Sequence, residues 1–192
     1  MLNKQTGNMY PFVTHTWNPI KGCKHDCIYC YVKDLAKRYN YDLTPRLDRD
    51  ALNDNLGEGN FIFVGSTSDM FGEWIPNGWI KAVLKHCCKF DNKYLFQSKN
   101  PDRFLAFINF FPEKAVLGTT IETNRDVSVS KAPLQSQRIS FMKYISDGFE
   151  KFEKMVSIEP VIDFDVEIFL FHLKEMKLSL IHISEPTRQA EI

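Results

Sequence analysis

Residues 22–31 read GCKHDCIYCY and place three of the chain's five cysteines in the spacing C-x3-C-x2-C. Three thiolates at this spacing, from Cys23, Cys27 and Cys30, can surround one face of a small metal centre. A structural zinc site needs four ligands in a closed tetrahedron, and a cubane iron–sulfur cluster usually has four cysteines. The motif therefore predicts either a remote fourth ligand or an iron that is left open for chemistry.

Two more cysteines and two histidines are candidates for that fourth ligand. In WIKAVLKHCCKF, residues 79–90, Cys87 and Cys88 fall on the apolar stripe of a predicted helix, which favours buried structural thiols. His15 lies before the motif and His25 inside it, and either is able to complete a zinc site. A single histidine is more often a surface or core residue.

The sequence around the motif alternates short Val-, Ile- and Phe-rich runs with segments of helical spacing, which is a βα pattern. We predict strands at residues 10–15, 61–64, 94–97, 115–119 and 155–158. We predict helices at residues 31–38, 76–90, 101–110, 134–145 and 166–177. Residues 40–60 form a polar insertion without its own core, and no linker divides the chain, so residues 1–177 are one domain.

Polar residues follow each predicted strand after the first one. In parallel βα folds the carboxyl ends of the strands carry the site, and the cysteine loop also follows a strand. Turn chemistry alone explains some of these side chains. The candidate positions are Ser66, Ser68, Asp69, Ser98, Lys99, Thr120, Glu122, Asn124 and Glu159.

The composition is that of a globular protein of 192 residues, with 44% hydrophobic and 25% charged residues. Lys plus Arg equals Asp plus Glu at 24 each, so nucleic acid is not excluded as a partner but needs a local basic patch. The amino terminus lacks the apolar region of a signal peptide, and no run approaches the ~18 apolar residues of a membrane span. We expect a cytoplasmic protein without a membrane partner.

The motif carries an aromatic residue before its last cysteine and follows the first strand of a βα series, and in this it resembles the radical S-adenosylmethionine (SAM) superfamily. The resemblance covers about residues 10–165 and extends to a narrower, phage-associated and bacterial group of undefined activity. The stretches that carry the narrower resemblance are THTWNPIKGC, FVGSTSDMFGEWIP, FQSKNPDRF, LGTTIETN and VSIEP.

This resemblance implies an α/β fold, a partial (βα)6 TIM-like barrel that is truncated after about five βα units. It implies that Cys23, Cys27 and Cys30 ligate a [4Fe-4S] cluster whose fourth iron binds SAM. An electron from a donor such as flavodoxin or ferredoxin then cleaves SAM to a 5′-deoxyadenosyl radical that acts on an unknown substrate. Tyr29 matches an aromatic position near the adenine.

The resemblance also assigns cofactor contacts to the strand ends. The superfamily's Gly-Gly-Glu-like segment is replaced here by residues 65–69, GSTSD, so the acceptor for the SAM amino group is open among Ser66, Ser68 and Asp69. Strand capping and turn formation explain each of the strand-end residues equally well. The remaining candidates are Thr120 and Glu122 for the ribose, Ser157 and Glu159 for the methionine or substrate, and Lys99 and Arg138 for an anionic substrate group.

The last fifteen residues, LSLIHISEPTRQAEI at 178–192, match residue for residue the in-frame translation of a nucleotide string that resembles a transposase-based sequencing adapter. We therefore expect this segment to be an artefact, although residues 179–183 have the apolar character of a strand. The alternative to a radical SAM enzyme is a non-enzymatic zinc or iron–sulfur binding module, associated with nucleic acid.

Overall fold

The computed structural model describes residues 1–6 and 10–184. Its strands and helices are β1 (Leu2–Lys4), β2 (His15–Trp17), β3 (Ile20–Lys21), α1 (Tyr31–Tyr39), β4 (Arg46–Leu47), β5 (Phe61–Val64), α2 (Asn77–Cys87), β6 (Lys93–Gln97), β7 (Ala115–Thr120), α3 (Gln135–Gly148), β8 (Glu153–Ile158), α4 (Val166–Glu175) and β9 (Leu180–Ile183). There are also 3-10 helices at Asp50–Asn53 and Pro101–Phe107. Among the described residues, none of the helices has both the length and the apolar character needed to cross a membrane.

A seven-stranded sheet with the order β1-β2-β5-β6-β7-β8-β9 forms the centre of the α/β fold. Strands β2 and β5 to β9 are parallel, and β1 pairs antiparallel with β2 at one edge. Parallel neighbours that follow each other in the chain need crossover connections, so their carboxyl ends meet along one edge of the sheet. Within the described residues β1 and β9 are edge strands that do not pair with each other, so the predicted barrel is not closed there.

Both faces of the sheet are buried, which explains the nearly continuous apolar strand sequences. The outer face packs against the helices in a large core that includes Ile62, Phe96 and Leu117. The inner face forms a smaller cluster. Its buried members are Tyr10, Val13, Phe63, Leu95, Val116 and Met155.

The inner face becomes polar toward the carboxyl ends of the strands. Gln97 lies two residues after Leu95, and successive residues of a strand point to opposite faces, so both side chains share the inner face. The Tyr10 hydroxyl donates to Gln97 Oε1 at 2.8 Å, and Gln97 Nε2 donates to Thr120 Oγ1 at 2.9 Å. The hydrogen-bonded side chains of Tyr10, Gln97 and Thr120 therefore form a polar layer above the apolar cluster, and we call this layer the polar floor.

The predictions for the later strands and for α1, α2, α3 and α4 are confirmed with small shifts of their bounds. The first predicted strand, β2, begins at His15 instead of residue 10, because Tyr10 and Pro11 enter a turn closed by Val13 N–H donating to Tyr10 C=O at 3.0 Å. Residues 101–107 form a 3-10 helix where an α-helix was predicted. Cys88 is exposed, contrary to the prediction, because α2 ends at Cys87.

The polar insertion, residues 40–60, contains β4, which pairs with β3, and the 3-10 helix Asp50–Asn53. Its buried residues Ala51 and Leu56 join the outer core and do not form one of their own. At the other end of the chain, β9 pairs with β8 as the sixth parallel strand, as its apolar character predicts. Residues 185–192 of the expected artefact lie outside the described residues.

Candidate functional site

The cysteine loop, residues 22–30, crosses from β3 to α1 at the carboxyl edge of the sheet. Gly22 has a φ of +82°, and a Cβ at this position would lie 2.4 Å from the carbonyl oxygen of Leu43, so only glycine fits. Asp26 has a φ of 55°, a left-handed conformation that Asp tolerates better than most residues. Cys30 is the N-cap residue of α1, and this places its thiol at the positive end of the helix.

Hydrogen bonds hold the loop to the segment that follows β7. Ile28 N–H donates to the carbonyl of Val129 at 3.0 Å, and Lys131 N–H donates to the carbonyl of His25 at 2.6 Å. The loop is thus fixed between the first and fourth parallel strands of the sheet. This position brings the three thiols to the same edge as the polar strand ends.

The three thiols interact electrostatically. Burial raises the pKa of Cys23 to about 12, and Asp69, Cys27 and Cys30 contribute to the increase, whereas the His25 N–H that donates to the sulfur opposes it. Burial also raises the pKa of Cys27, against the opposing effect of Lys99. Without a metal the thiols of Cys23 and Cys27 are protonated, and a bound iron centre would deprotonate them.

The cysteine loop suits an iron–sulfur cluster in its chemistry. Three soft sulfur donors, an N–H directed at Cys23 and the amino end of a helix at Cys30 are features that stabilise thiolates. Within residues 1–6 and 10–184, however, no three His, Cys, Asp or Glu side chains lie close enough together to hold a metal ion as they stand. The three cysteines are therefore chemically suitable ligands for such a cluster, but their sulfur atoms do not lie close together in this structure.

Asp69, which follows β5, connects three loops of the site. Its Oδ2 accepts hydrogen bonds from His25 Nε2 at 2.7 Å, from Ser98 Oγ at 3.0 Å and from the N–H of Lys99 at 2.9 Å. Its Oδ1 accepts from the N–H of Phe71 at 2.9 Å. Burial alone would raise the pKa of Asp69, but these donors, with His25 first among them, lower it. The Asp69 carboxylate is therefore occupied by protein donors.

The two serines before Asp69 lie beside the loop between β2 and β3. Ser66 Oγ and the side-chain amide of Asn18 exchange hydrogen bonds at 3.2 Å, and Ser68 Oγ donates to the carbonyl of Ile20 at 2.7 Å. Both serines are half-buried. Because a hydroxyl that donates one hydrogen bond keeps acceptor capacity, they remain available to an ammonium group.

A buried charge network lies at the carboxyl end of β7. We define the Lys99–Glu122–Arg138 network by its two ion pairs, Lys99 Nζ to Glu122 Oε1 at 2.7 Å and Arg138 Nη1 to Glu122 Oε2 at 3.0 Å. Glu122 and Arg138 are 0% and 1% exposed. The Tyr29 hydroxyl donates to Glu122 Oε1 and accepts from Lys99 Nζ, and Gln135 Nε2 donates to Glu122 Oε2 at 3.4 Å.

The network holds Glu122 ionised. Burial would raise the pKa of Glu122, but Lys99 and Arg138 outweigh it and lower this pKa to about 2. Burial and the neighbouring Glu122 raise the pKa of Tyr29, so its phenol stays protonated. Arg138 also donates to the carbonyl of Thr120 at 2.5 Å, and this fixes the guanidinium inside the protein. Arg138 is thus an internal counter-ion. The sequence had suggested that it could bind an anionic substrate group, but its guanidinium is buried and already paired with Glu122.

The other predicted residues lie at the same edge but differ in exposure. Thr120 and Ser157 are buried, and Ser157 hydrogen bonds with Tyr10 on the inner face. The side chain of Glu159 is 38% exposed and lies 4.0 Å from His182 Nε2. Thr120 and Ser157 therefore belong to the polar floor, and Glu159 belongs to the rim of the site.

Several residues of the site had no predicted role in the sequence. Tyr10 and Gln97 form part of the polar floor, and the hydroxyl of Tyr31 donates to the carbonyl of Ser66 at 3.2 Å. The alternation of Leu95 and Gln97 in β6 was a usable signal, because it places a polar side chain on a face that is otherwise apolar. Tyr10 had no such signal, since a turn outside the strands positions it.

The two histidines considered as zinc ligands are separated by the fold. His25 is buried, its Nε2 is hydrogen-bonded to Asp69, and its Nδ1 has no hydrogen-bond partner among the residues that the structure describes. The ring of His15 contacts Thr14 Oγ1 at 2.9 Å, at the amino end of β2. A cavity of about 320 Å³ lies at the opposite end of the sheet, beside the loops that precede β6 and β7, and is separate from this site.

The fold is similar to solved structures of spore photoproduct lyase. A double mutant with bound AdoMet and dinucleoside spore photoproduct matches with a TM-score of 0.68 and 12% identity, over 95% of this chain and 59% of that chain. A complex with dinucleoside spore photoproduct matches with a TM-score of 0.65 and 13% identity, over 93% and 58%. The chain thus spans less than two thirds of these structures, and at such identity the likeness concerns the fold alone.

The sequence also matches the model of a family described as "Protein of unknown function (DUF5131)", over residues 8–170. The comparison with curated proteins finds no match. The family match covers the cysteine loop, the network around Glu122 and the carboxyl ends of the parallel strands β2, β5, β6, β7 and β8.

Proposed function

The chain belongs to the DUF5131 family, and we propose that it is a radical SAM enzyme, or the cluster- and SAM-binding part of one. The observation that carries the proposal is the C-x3-C-x2-C loop at the carboxyl edge of a mainly parallel sheet, facing the polar ends of β5 to β8. The bound AdoMet in a spore photoproduct lyase structure of similar fold supports it.

When bound, a [4Fe-4S] cluster and SAM would supply reductive cleavage of SAM to a 5′-deoxyadenosyl radical. The protein's part is to hold these groups, orient them and exclude water. Cys23, Cys27 and Cys30 would be the cluster ligands, because they are the thiols that share one loop at the site. Cys87 lies in the outer core and cannot serve.

Residues around the thiols would contact SAM. Residues 65–69 lie beside the cysteine loop, and because the Asp69 carboxylate is already satisfied, the hydroxyls of Ser66 and Ser68 are the better acceptors for the amino group. Tyr29 would lie near the adenine, where its hydroxyl is fixed by Glu122. Thr120 would face the ribose, and Ser157 and Glu159 the methionine or the substrate. Glu122 is 0% exposed and already paired, so it would hold Tyr29 and Lys99 in place and would not contact the ribose itself, as the sequence had suggested it would.

The experiment is anaerobic reconstitution of the full chain with iron and sulfide. We expect a brown protein with about four irons, broad absorption in the visible range, an electron paramagnetic resonance signal after reduction that changes when SAM is added, and 5′-deoxyadenosine as product. The alternative, a zinc or iron–sulfur binding module without activity, predicts a colourless zinc protein or a cluster whose signal SAM does not change. Either of these outcomes contradicts the enzyme proposal.

A further inference from the structure

The Lys99–Glu122–Arg138 network contains two cations and one anion, and this imbalance is buried. Glu122 is inaccessible, Arg138 is almost so, and the side chain of Lys99 is 16% exposed. A charge that is removed from water without a partner is costly, so a buried network with an excess charge is stable only beside a compensating group. Within the described residues Asp69 is a second buried carboxylate beside this network, but its oxygens bind His25, Ser98 and two backbone N–H groups and do not pair with the Lys99 ammonium. The excess positive charge of the three-residue network is therefore not cancelled by a further direct ion pair.

Hydrogen bonds fix both the backbone and the side-chain ammonium group of Lys99. Its backbone N–H donates to Asp69, which also binds His25 of the cysteine loop. Its Nζ contacts Glu122 and the hydroxyl of Tyr29, the residue before Cys30. The ammonium group therefore has little freedom to move into solvent.

Lys99 faces the cysteine loop. Its Nζ lies 4.6 Å from the centroid of the Tyr29 ring, and Tyr29 stands between Cys27 and Cys30 in the cysteine loop. Arg138 is on the far side of Glu122, where the carbonyl of Thr120 and that of Pro133 hold its guanidinium. Of the two cations in the network, Lys99 is thus the one that contacts a residue of the cysteine loop.

We propose that Lys99 is a tuning residue that raises the reduction potential of the iron–sulfur cluster held by the cysteine loop. The inference rests on the proposed function. A [4Fe-4S] core with three thiolates has one net negative charge when oxidised and two after it accepts one electron from a low-potential donor, and no bond forms or breaks in this step. A fixed cation stabilises the more negative state, and net charge is one of the factors that set cluster potentials.

The test compares full-length variants after reconstitution, by redox titration followed through the electron paramagnetic resonance signal of the reduced cluster. Lys99→Gln keeps a hydrogen-bond donor for Glu122 and removes the charge, and Lys99→Met removes both. We expect each variant to lower the equilibrium constant for reduction about tenfold, which is 59 mV for one electron. Lys99→Arg keeps the charge and is expected to keep the wild-type potential.

Lys131→Met is the matched control, because it also removes a cation near the cysteine loop. The Lys131 side chain is 74% exposed and pairs with Asp26 at 3.1 Å, so solvent screens it and its loss should change the constant less than twofold. An unchanged potential in Lys99→Gln with a full cluster overturns the inference. So does loss of the cluster in both neutral variants but not in Lys99→Arg, because Lys99 then serves assembly. Absence of a cluster from the wild-type protein overturns the proposed function itself.

Discussion

Cys27 in the cysteine loop and Cys87 in α2 are both buried thiols, with 7% and 0% exposure, but their surroundings differ. Cys87 packs among apolar side chains of the outer core, where burial raises its pKa well above the usual value. Burial acts on Cys27 in the same direction, but the charge of Lys99 opposes it. The two regions show that burial raises the pKa of both thiols, and that charged groups, Lys99 in one direction and Glu122 in the other, act in addition on Cys27.

The largest expected difference between these regions is in cluster assembly. Cys27→Ala should abolish iron binding, because a cluster with two protein ligands has too few anchors to persist, and Cys23→Ala and Cys30→Ala should do the same. Cys87→Ala should keep full iron content and lower the free energy of unfolding by about 1 kcal/mol. Iron analysis after reconstitution checks both, and normal loading of Cys27→Ala would contradict the assignment.

The charged site should depend on Glu122 for stability far more than the surface depends on its ion pairs. Glu122→Ala leaves Arg138 buried without its carboxylate, and we expect the free energy of unfolding to fall by about 3–5 kcal/mol. Glu153, which pairs with Lys93 at 2.6 Å and is 47% exposed, is the matched control. Glu153→Ala should cost less than about 1 kcal/mol in urea denaturation. Equal losses would refute the claim that Glu122 neutralises a buried cation.

The pH dependence of stability tests the ionisation of Glu122 in the unmodified protein. The pKa of Glu122 in the folded protein is about 2, below its ordinary value near 4.5, despite burial, because Lys99 and Arg138 favour the charged form. Its contribution, ~3 kcal/mol, is therefore complete above pH 4.5 and is lost as the pH falls toward 2. Unfolding measured at several pH values should show this loss, and Glu122→Gln should flatten the curve in that window.

Asp69 distinguishes a cofactor contact from a loop anchor. Asp69→Asn replaces an acceptor of four hydrogen bonds with an amide that cannot accept them all, so we expect a loss of about 1.5–3 kcal/mol in unfolding free energy. If the serines receive the SAM amino group, the variant should keep its SAM affinity wherever the loop stays folded. A large loss of SAM affinity at unchanged stability would assign the amino group to Asp69.

The positions of β5 to β8 and their polar ends could be predicted from the sequence, because period, apolar runs and turn residues are local signals, whereas the short strands β1, β3 and β4 were not predicted. Residues 61–64 are an apolar run followed by Gly65 and Ser66, and residues 115–120 begin as an apolar run and end in two threonines. The partners of Glu122 could not be predicted. Arg138 comes from α3 and Lys99 from the end of β6, and only the packing of the crossovers brings them to one carboxylate.

The first strand and the end of α2 show where local signals were misleading. Tyr10 has the β-propensity of a strand residue, yet Pro11 follows it, and the chain turns so that the Tyr10 ring fills the inner face. In α2 the apolar stripe continues to residue 88, but the helix ends at Cys87 because its last turn tightens there, with Lys89 N–H donating to the carbonyl of His86 at 3.1 Å. Periodicity locates a helix better than it locates the helix terminus.

The smallest expected effect concerns the neighbouring residues Cys87 and Cys88, of which the first is buried and the second is exposed. Cys88 is exposed, and its Sγ lies 3.6 Å from the carbonyl of Phe110, a weak contact at the protein surface. Cys88→Ser should change the free energy of unfolding by less than about 0.5 kcal/mol, whereas Cys87→Ser places a hydroxyl among apolar side chains and should cost about 1–3 kcal/mol. Alkylation with iodoacetamide in the native protein should accordingly modify Cys88 and spare Cys87. Equal reactivity of the two thiols would mean that α2 opens at its carboxyl end, and the contrast between the cysteine loop and α2 would then reflect local stability instead of charge.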